Sequence, residues 1–285
     1  MQKIWVCGAR GQIGQAVNDV VDKLEFEMLD TDVDDLDVTD TDEVLRFGEM
    51  NRPDIIINCS GMTDISSCEE NPSQAFKVNA LGARNLAIVA AKMQAKMVQL
   101  STDDVFDGKS TEPYTEFDIK NPGTVYGKSK LAGENYVKEF TTKHFIVRST
   151  WVYGKGQNFI NGFLKKVDAG EQLSIASDQF GSPTSANELA RFLLHLVHTS
   201  EYGTYHATNK GVCSRYAFAQ EILKMTGKTA SMQPVPTVMS DFSKVRPAYA
   251  VLDNFIMSMV PIYDFPDWQD SLREYLEERG LYHAE

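Results

Sequence analysis

Gly8-Ala9-Arg10-Gly11-Gln12-Ile13-Gly14 (residues 8–14) joins a short β-branched run at Lys3–Cys7 to a helical pattern at Gln12–Lys23. Glycines in such a loop allow a tight turn, a close approach of the backbone to a pyrophosphate, and packing of the helix against the strand. The N-terminus of the helix adds N–H groups and partial positive charge, which favour phosphate. A strand, a glycine loop and a helix in this order predict a dinucleotide-binding fold.

Strand-like and helix-like segments go on alternating through the first half of the chain. Further strands are predicted at Phe26–Leu29, Asp54–Asn58, Lys96–Ser101 and Phe145–Arg148, and helices at Asp42–Met50, Pro72–Ala91 and Gly127–Phe140. Strands separated by helices form right-handed βαβ units, and the resulting parallel sheet is covered on both faces. The pattern predicts an α/β fold with a doubly wound parallel sheet.

The pattern changes after Trp151. A long amphipathic helix is predicted at Asn187–His198 and a last helix at Trp268–Arg279, but the rest has short strands, turns and prolines. Ligands of open α/β sheets bind at the carboxyl ends of the strands, so we expect a smaller mixed α/β domain to cover that edge. The predicted division gives a nucleotide-binding Rossmann domain of residues 1–152 plus about 184–208, and a substrate-binding domain of about 153–183 and 209–285.

Charge and composition exclude several classes of protein. The 285 residues include 28 Lys and Arg against 40 Asp and Glu, a net charge of −12, which repels nucleic acid and anionic membranes. Apolar runs stay far below the roughly 18 residues of a membrane span, and no signal peptide is recognised. The cysteines form no CxxC pair, which predicts reduced structural thiols and no metal site: Cys7, Cys59, Cys68 and Cys213. We therefore expect a cytoplasmic protein.

An acidic residue ends the predicted second strand. Asp30 follows Gly14 by sixteen residues, where a carboxylate can accept hydrogen bonds from the adenosine ribose. Such a carboxylate favours NAD, because a 2′-phosphate would meet a like charge. Arg10 is the nearby cation that could bind that phosphate, or it is a solvated loop residue, and both interpretations stay open. The expected cofactor is NADH or NADPH.

Three side chains have the chemistry of carbonyl reduction. Tyr126 and Lys130 stand four residues apart, which places them on one face of a helix. A phenol can protonate a developing alkoxide, and a neighbouring ammonium lowers the pKa of the phenol. Thr102 ends a predicted strand, where its hydroxyl can polarise and orient the carbonyl. A core tyrosine and a strand-ending turn are the simpler alternatives, but together Thr102, Tyr126 and Lys130 predict a catalytic triad.

Several longer motifs extend this pattern along the chain. They are STDDVFDG (101–108), VYGKSKLAGE (125–134), RSTWVYGKGQNF (148–159), DQFGSPTSANELA (178–190), RPAYAVLDN (246–254) and PDWQDSLREYL (266–276). With these motifs the chain resembles the extended short-chain dehydrogenase/reductases that act on nucleotide sugars, and within them the dTDP-4-dehydrorhamnose reductase family. The resemblance implies NAD(P)H-dependent reduction of the 4-keto group of dTDP-4-dehydro-L-rhamnose to dTDP-L-rhamnose, for rhamnose-containing cell-surface polysaccharide.

The resemblance also implies roles for particular residues. It places the cofactor against the glycine loop, the adenosine-side residues and the turn after the third strand, with contacts from the tyrosine and lysine: Gly8, Arg10, Gly11, Gln12, Ile13, Gly14, Asp30, Asp37, Val38, Gly61, Met62, Thr63, Tyr126 and Lys130. Thr102 and Asp103 would contact the sugar. Trp151 would be an aromatic platform for the deoxysugar ring, with a buried structural tryptophan as the alternative. Arg246 would bind the substrate diphosphate or form a structural ion pair.

Three positions depart from the family pattern, and one of them is Ser66, where the family usually has aspartate. Asp104 stands where the family usually has tyrosine, and related dehydratases carry an acid pair there, so a dehydratase or epimerase remains an alternative. A non-catalytic regulatory subunit with the same fold is a further alternative, because a fold does not determine a function. Ala16 stands where some members carry a glutamate used in magnesium-mediated dimerisation. We therefore predict no metal ion and leave monomer and homodimer both open.

Overall fold

Parallel strands form the central sheet of the computed structural model, which describes residues 1–239 and 248–283. The strands are β1 (Gln2–Cys7), β2 (Phe26–Thr31), β3 (Ile55–Asn58), β4 (Lys96–Thr102), β5 (His144–Ser149), β6 (Val152–Tyr153), β7 (Leu173–Ala176), β8 (Phe180–Gly181), β9 (Thr184–Ser185), β10 (Gly203–His206), β11 (Cys213–Ser214), β12 (Met232–Val235) and β13 (Tyr249–Ala250). The central sheet has the order β10-β5-β4-β3-β1-β2, and each neighbouring pair is parallel.

Helices cover both faces of this sheet. They are α1 (Gln12–Val20), α2 (Thr41–Asn51), α3 (Ile65–Glu70), α4 (Pro72–Phe76), α5 (Ala83–Met93), α6 (Val125–Phe140), α7 (Phe159–Asp168), α8 (Ala186–His198), α9 (Arg215–Thr226), α10 (Phe255–Met259) and α11 (Trp268–Glu278). The structure confirms the predicted α/β fold and the five predicted strands of the sheet. It adds β10, which the sequence pattern did not single out.

One predicted helix is divided. The segment Pro72–Ala91 was expected to be a single α-helix, but α4 and α5 are joined by a π-helical turn at Lys77–Gly82. The reason is a close contact with α6, because a Cβ on Gly133 would lie only 2.4 Å from the Asn79 carbonyl oxygen. The wider turn lets the two helices approach each other and buries the Asn79 side chain between them.

The core follows the alternation of side chains along the strands. In β1, Ile4 and Val6 point to a cluster with α1 and α8, whereas Trp5 and Cys7 point to a cluster with α2, α5 and α6. In β3, Ile56 lies on the Trp5 side and its two isoleucine neighbours lie on the other. Strands that are apolar on both sides are what a sheet covered by helices on both faces requires.

A further hydrophobic cluster forms in the second half of the chain. It joins Tyr153 to α7, α9 and α11. Short strand pairs surround this cluster: β7 with β12, β8 with β11 and β13, and β6 with β9. In the described ranges no helix combines the length and apolar character that crossing a bilayer requires.

Candidate active site

The glycine loop adopts a conformation that larger residues would not allow. Gly8 has φ +75°, and a Cβ there would lie 2.7 Å from the Ser60 backbone nitrogen. A Cβ on Gly14 would lie 2.3 Å from the Gly8 carbonyl oxygen. Gly11 is the N-cap of α1, and in this described segment no side chain caps the helix and its first turn has no acidic residue. The N–H groups of that turn are therefore available to a pyrophosphate, so the loop fits a dinucleotide.

Acidic residues surround Arg10 at the edge of the sheet. Its guanidinium donates to Asp34 over 2.8 Å and to Asp35 over 3.0 Å, and its backbone N–H donates to Asp32 over 2.9 Å. Asp30 is exposed on the edge strand β2. The carboxylates of Asp34 and Asp35 neutralise the guanidinium charge that would attract a 2′-phosphate. This pairing favours the interpretation of Arg10 as a solvated loop residue.

A cleft of about 760 Å³ lies at the carboxyl ends of the central strands. It brings together many of the residues singled out from the sequence: Gly11, Gln12, Ile13, Gly61, Thr63, Thr102, Asp103, Tyr126, Lys130 and Trp151. Other candidates are not among the described lining residues, namely Gly8, Arg10, Gly14, Asp30, Asp37, Val38 and Met62. Val38 is buried in the core, and Asp37 accepts a hydrogen bond from the Thr39 N–H. Arg246 lies outside the described residues.

The start of α6 positions the tyrosine and the lysine. The Thr124 side chain caps the helix by accepting from the Gly127 N–H over 2.9 Å, so α6 begins at Val125, two residues before the predicted start. Tyr126 and Lys130 both lie inside the helix and line the cleft. Gly127 lets the helix approach the end of β4, since a Cβ there would lie 2.0 Å from the Asp104 carbonyl oxygen.

Asn79 connects α6 to the turn after β3. Its amide nitrogen donates to the Ser129 hydroxyl over 2.8 Å, and its amide oxygen accepts from the Met62 N–H over 2.8 Å. Ser129 in turn donates to the Tyr126 carbonyl over 2.7 Å. The π-helical turn thus holds α6 and the turn after β3 at a defined distance.

Lys130 is almost completely buried in the cleft wall. Burial lowers its pKa to about 8, although the nearby Glu134 and Cys59 act in the opposite direction. Its Nζ lies 3.7 Å from where a Cβ on Gly61 would be. A cation in this place can act on the Tyr126 phenol and hold a ribose.

Thr102 and the two following aspartates differ in their access to the cleft. The Thr102 hydroxyl donates to Asp103 over 3.0 Å and accepts from the Asp104 N–H over 3.2 Å. Thr102 and Asp103 line the cleft, whereas Asp104 is 1% exposed and is not among the described lining residues. Dehydratase chemistry by an Asp103–Asp104 pair would need both carboxylates at the substrate, and this placement weighs against it.

A buried ion pair lies beneath the triad. Arg148 on β5 donates to Glu134 on α6 through two hydrogen bonds of 2.8 and 2.7 Å, and both side chains are fully buried. Glu134 also accepts from Ser101 over 2.6 Å. Burial alone raises the pKa of Glu134, but the bonds and charge of Arg148 bring it below the ordinary value. Burial and the Arg148 charge lower the pKa of His206, 3.3 Å away, to about 3, so its imidazole is neutral.

Two charged residues of the cleft lining, Asp64 and Arg215, were not expected from the sequence. Arg215 is the first residue of α9, and its Cζ lies 3.4 Å from the centre of the Trp151 ring. No motif or spacing pointed to Arg215, because it meets Trp151 only in the folded chain. Among the described residues no group of three or more His, Cys, Asp or Glu side chains could hold a metal ion.

Comparisons with known proteins show which family and which structures the whole chain is similar to. The family of the RmlD substrate binding domain matches residues 1–280. The spore coat polysaccharide biosynthesis protein SpsK of Bacillus subtilis is 35% identical over 98% of this chain and 99% of its own length. A dTDP-4-dehydrorhamnose reductase structure from Clostridium acetobutylicum has a TM-score of 0.95 and 40% identity, covering 98% of this chain and 100% of that chain. One from Bacillus anthracis, in complex with NADP, has a TM-score of 0.94, 35% identity and the same coverage.

Proposed function

The chain belongs to the RmlD substrate binding domain family, and we propose that its cleft reduces the 4-keto group of dTDP-4-dehydro-L-rhamnose to give dTDP-L-rhamnose. It is an NAD(P)H-dependent oxidoreductase with a nucleotide-sugar substrate. The proposal rests on the way that one cleft brings the candidate residues together. Tyr126 and Lys130 lie on one helix face, and they open onto the same cleft as Thr102 and the N-terminus of α1. The product would serve rhamnose-containing cell-surface polysaccharide.

Each residue of the triad has one proposed task. When bound, the reduced nicotinamide supplies a hydride. The Tyr126 hydroxyl donates a proton to the keto oxygen of the sugar, and the Lys130 ammonium stabilises the phenolate that remains. The Thr102 hydroxyl, which donates to Asp103 in this structure, turns its hydrogen to the keto oxygen and orients it.

The remaining candidates are proposed to bind rather than react. Gly11, Gln12 and Ile13 would hold the cofactor pyrophosphate at the N-terminus of α1, and Asp30 would accept from the adenosine ribose. The cofactor would lie on residues 1–152 plus about 184–208, and the sugar nucleotide on about 153–183 and 209–285. The described residues of one chain supply the proton donor and the glycine loop, so we propose a monomer or a homodimer as the active form.

The buried ammonium leads to an expected pH dependence. Because the pKa of Lys130 is about 8, kcat/KM for reduction should fall as the pH rises above 8 and the ammonium is lost. A lysine whose pKa is lowered from 10.5 costs stability while it is charged, and this cost shrinks as the pH rises from about 8 to 10.5. The change Lys130→Met should therefore abolish most activity yet stabilise the fold at pH 7 by up to about 3 kcal/mol.

Urea unfolding at pH 7 and at pH 10, with steady-state rates across the same range, measures both effects. The exposed Lys224, which pairs with Glu221 on α9, provides the control Lys224→Met. A Lys130→Met protein that is less stable than the wild type at pH 7 would contradict the argument.

The direct test is cofactor oxidation. The purified protein is given dTDP-4-dehydro-L-rhamnose with NADH or NADPH in parallel, and loss of reduced-nicotinamide absorbance is followed. We expect stoichiometric loss with both cofactors and a higher kcat/KM with NADH. The reason for this preference is that Arg10 is already paired with Asp34 and Asp35, beside the exposed Asp30. Binding of the sugar nucleotide without oxidation of either cofactor would refute the reductase.

A further inference from the structure

Both faces of the Trp151 indole are covered in this structure. A Cβ on Gly181 would lie 2.6 Å from the ring atom Cε2, and the Arg215 Cζ lies 3.4 Å from the ring centre. Two groups this close to the middle of the ring would collide if they shared a side, so they lie on opposite faces. An indole that is sandwiched in this way has no free face for a sugar ring.

The Gly181 side of the sandwich cannot open easily. Gly181 belongs to β8, where it pairs with Cys213 of β11 and Ala250 of β13. Trp151 itself has φ +47°, a left-handed conformation that is strained for a non-glycine residue and that the surrounding structure must hold in place. The guanidinium on the other face is the end of a flexible side chain, so it is the part that can move.

Charge explains what would draw the guanidinium away. The protein carries a net charge of −12, and its substrate carries a diphosphate. Of the described residues that line the cleft, Lys130 and Arg215 are the cations. Lys130 is buried beside Tyr126, whereas Arg215 stands at the Trp151 side of the cleft. A guanidinium suits a diphosphate because its planar fork can donate to two phosphate oxygens at once.

We propose that Arg215 binds the diphosphate of the nucleotide sugar, and that in doing so it leaves the Trp151 ring and uncovers one indole face for the sugar. A charge-assisted pair with phosphate is stronger than a cation–π contact, so the exchange favours the bound state. Binding of the diphosphate and exposure of the Trp151 ring are then coupled. This inference rests on the proposed function, because it takes the substrate to be a nucleotide sugar.

The test compares dTDP binding by calorimetry in the wild type, Arg215→Met, Arg215→Lys and the control Arg273→Met. Arg273 is a half-exposed arginine on α11, paired with Asp270. We expect Arg215→Met to raise the Kd of dTDP about 10- to 100-fold, since bonds to a charged group are lost. The lysine variant should recover part of this loss, and Arg273→Met should stay within twofold. The Kd of NADH should not change in any variant, which separates the substrate diphosphate from the cofactor pyrophosphate.

Fluorescence supplies an independent readout of ring exposure. Added dTDP should change the tryptophan emission of the wild type but not that of Trp151→Phe, because Trp5 and Trp268 are buried in the core.

An unchanged dTDP affinity in Arg215→Met, or a loss of NADH affinity instead, would overturn the inference. If Arg215→Met fails to fold, Arg215→Lys decides. A raised Kd of dTDP with an unchanged Kd of NADH supports the inference, because an ammonium replaces only part of the bidentate contact. Wild-type dTDP affinity, or weakened NADH binding, refutes it. If the wild-type protein oxidises the cofactor with the keto sugar, the proposed function stands whatever the Arg215 variants show. If the wild-type protein binds no dTDP, both the proposed function and the proposed role of Arg215 are refuted.

Discussion

Replacement of Tyr126 by phenylalanine is expected to lower kcat for carbonyl reduction by about 10²- to 10⁴-fold, the usual contribution of a positioned proton donor. The variant keeps the ring and loses only the hydroxyl oxygen. Tyr126 lies in the first turn of a capped helix and packs against Ile65, Cys68 and Ala75, so the backbone should not move. Binding of the cofactor should therefore survive while the proton transfer is lost.

Steady-state kinetics and NADH titration of the same preparation separate the two effects. Tyr136 lies on the same helix, outside the lining of the cleft that the structure describes, and Tyr136→Phe is the matched control. A Tyr126→Phe protein with more than about a tenth of wild-type kcat would remove Tyr126 from the role of proton donor. A parallel loss of NADH affinity would show that the hydroxyl holds the cofactor instead.

The second large effect concerns stability. Breaking the Arg148–Glu134 pair from either side should cost about 3–5 kcal/mol in the free energy of unfolding, because the remaining charge stays buried without a partner. Arg148→Met leaves the Glu134 carboxylate with Ser101 as its main support, and Glu134→Gln leaves the guanidinium against a neutral His206. Urea unfolding at pH 7 measures both losses.

The double variant Glu134→Leu/Arg148→Met distinguishes a lost charge pair from lost packing. Replacing a whole buried pair by apolar side chains is often neutral or stabilising, so the double variant should be more stable than either single variant. The surface pair Arg273–Asp270 is the control, and its removal should cost at most about 1 kcal/mol. Single variants within about 1 kcal/mol of the wild type would show that water reaches the pair.

Local pattern predicted most of the sheet because its strands are short, apolar and separated by clear helical segments. The π-helical turn was out of reach of that reasoning. It exists because Asn79 must meet Gly133 of another helix, a contact between residues far apart in the chain. The α6 start was also placed too late, since the capping role of Thr124 is a side-chain bond that periodicity does not show.

The candidate site shows the same difference between local sequence pattern and contacts that form only in the folded chain. Tyr126, Lys130 and Thr102 could be proposed in advance because their chemistry depends on spacing along a helix and on the end of a strand. Arg215 could not, because its contact with Trp151 joins the start of α9 to the end of the central sheet. The adenosine-side candidates Asp37 and Val38 stay predictions, since the described cleft lining does not include them.

Gly127, between Tyr126 and Lys130, sets how closely α6 approaches the end of β4. Its backbone is helical, so the glycine is not there for a special turn; it is there because the Asp104 carbonyl leaves no room for a methyl group. The residue works as a spacer of minimal width that sets how near the tyrosine comes to the end of β4. Misplacement by about 1 Å can cost a catalyst 10²-fold in rate, so the turnover number depends on the missing side chain of a residue outside the described cleft lining.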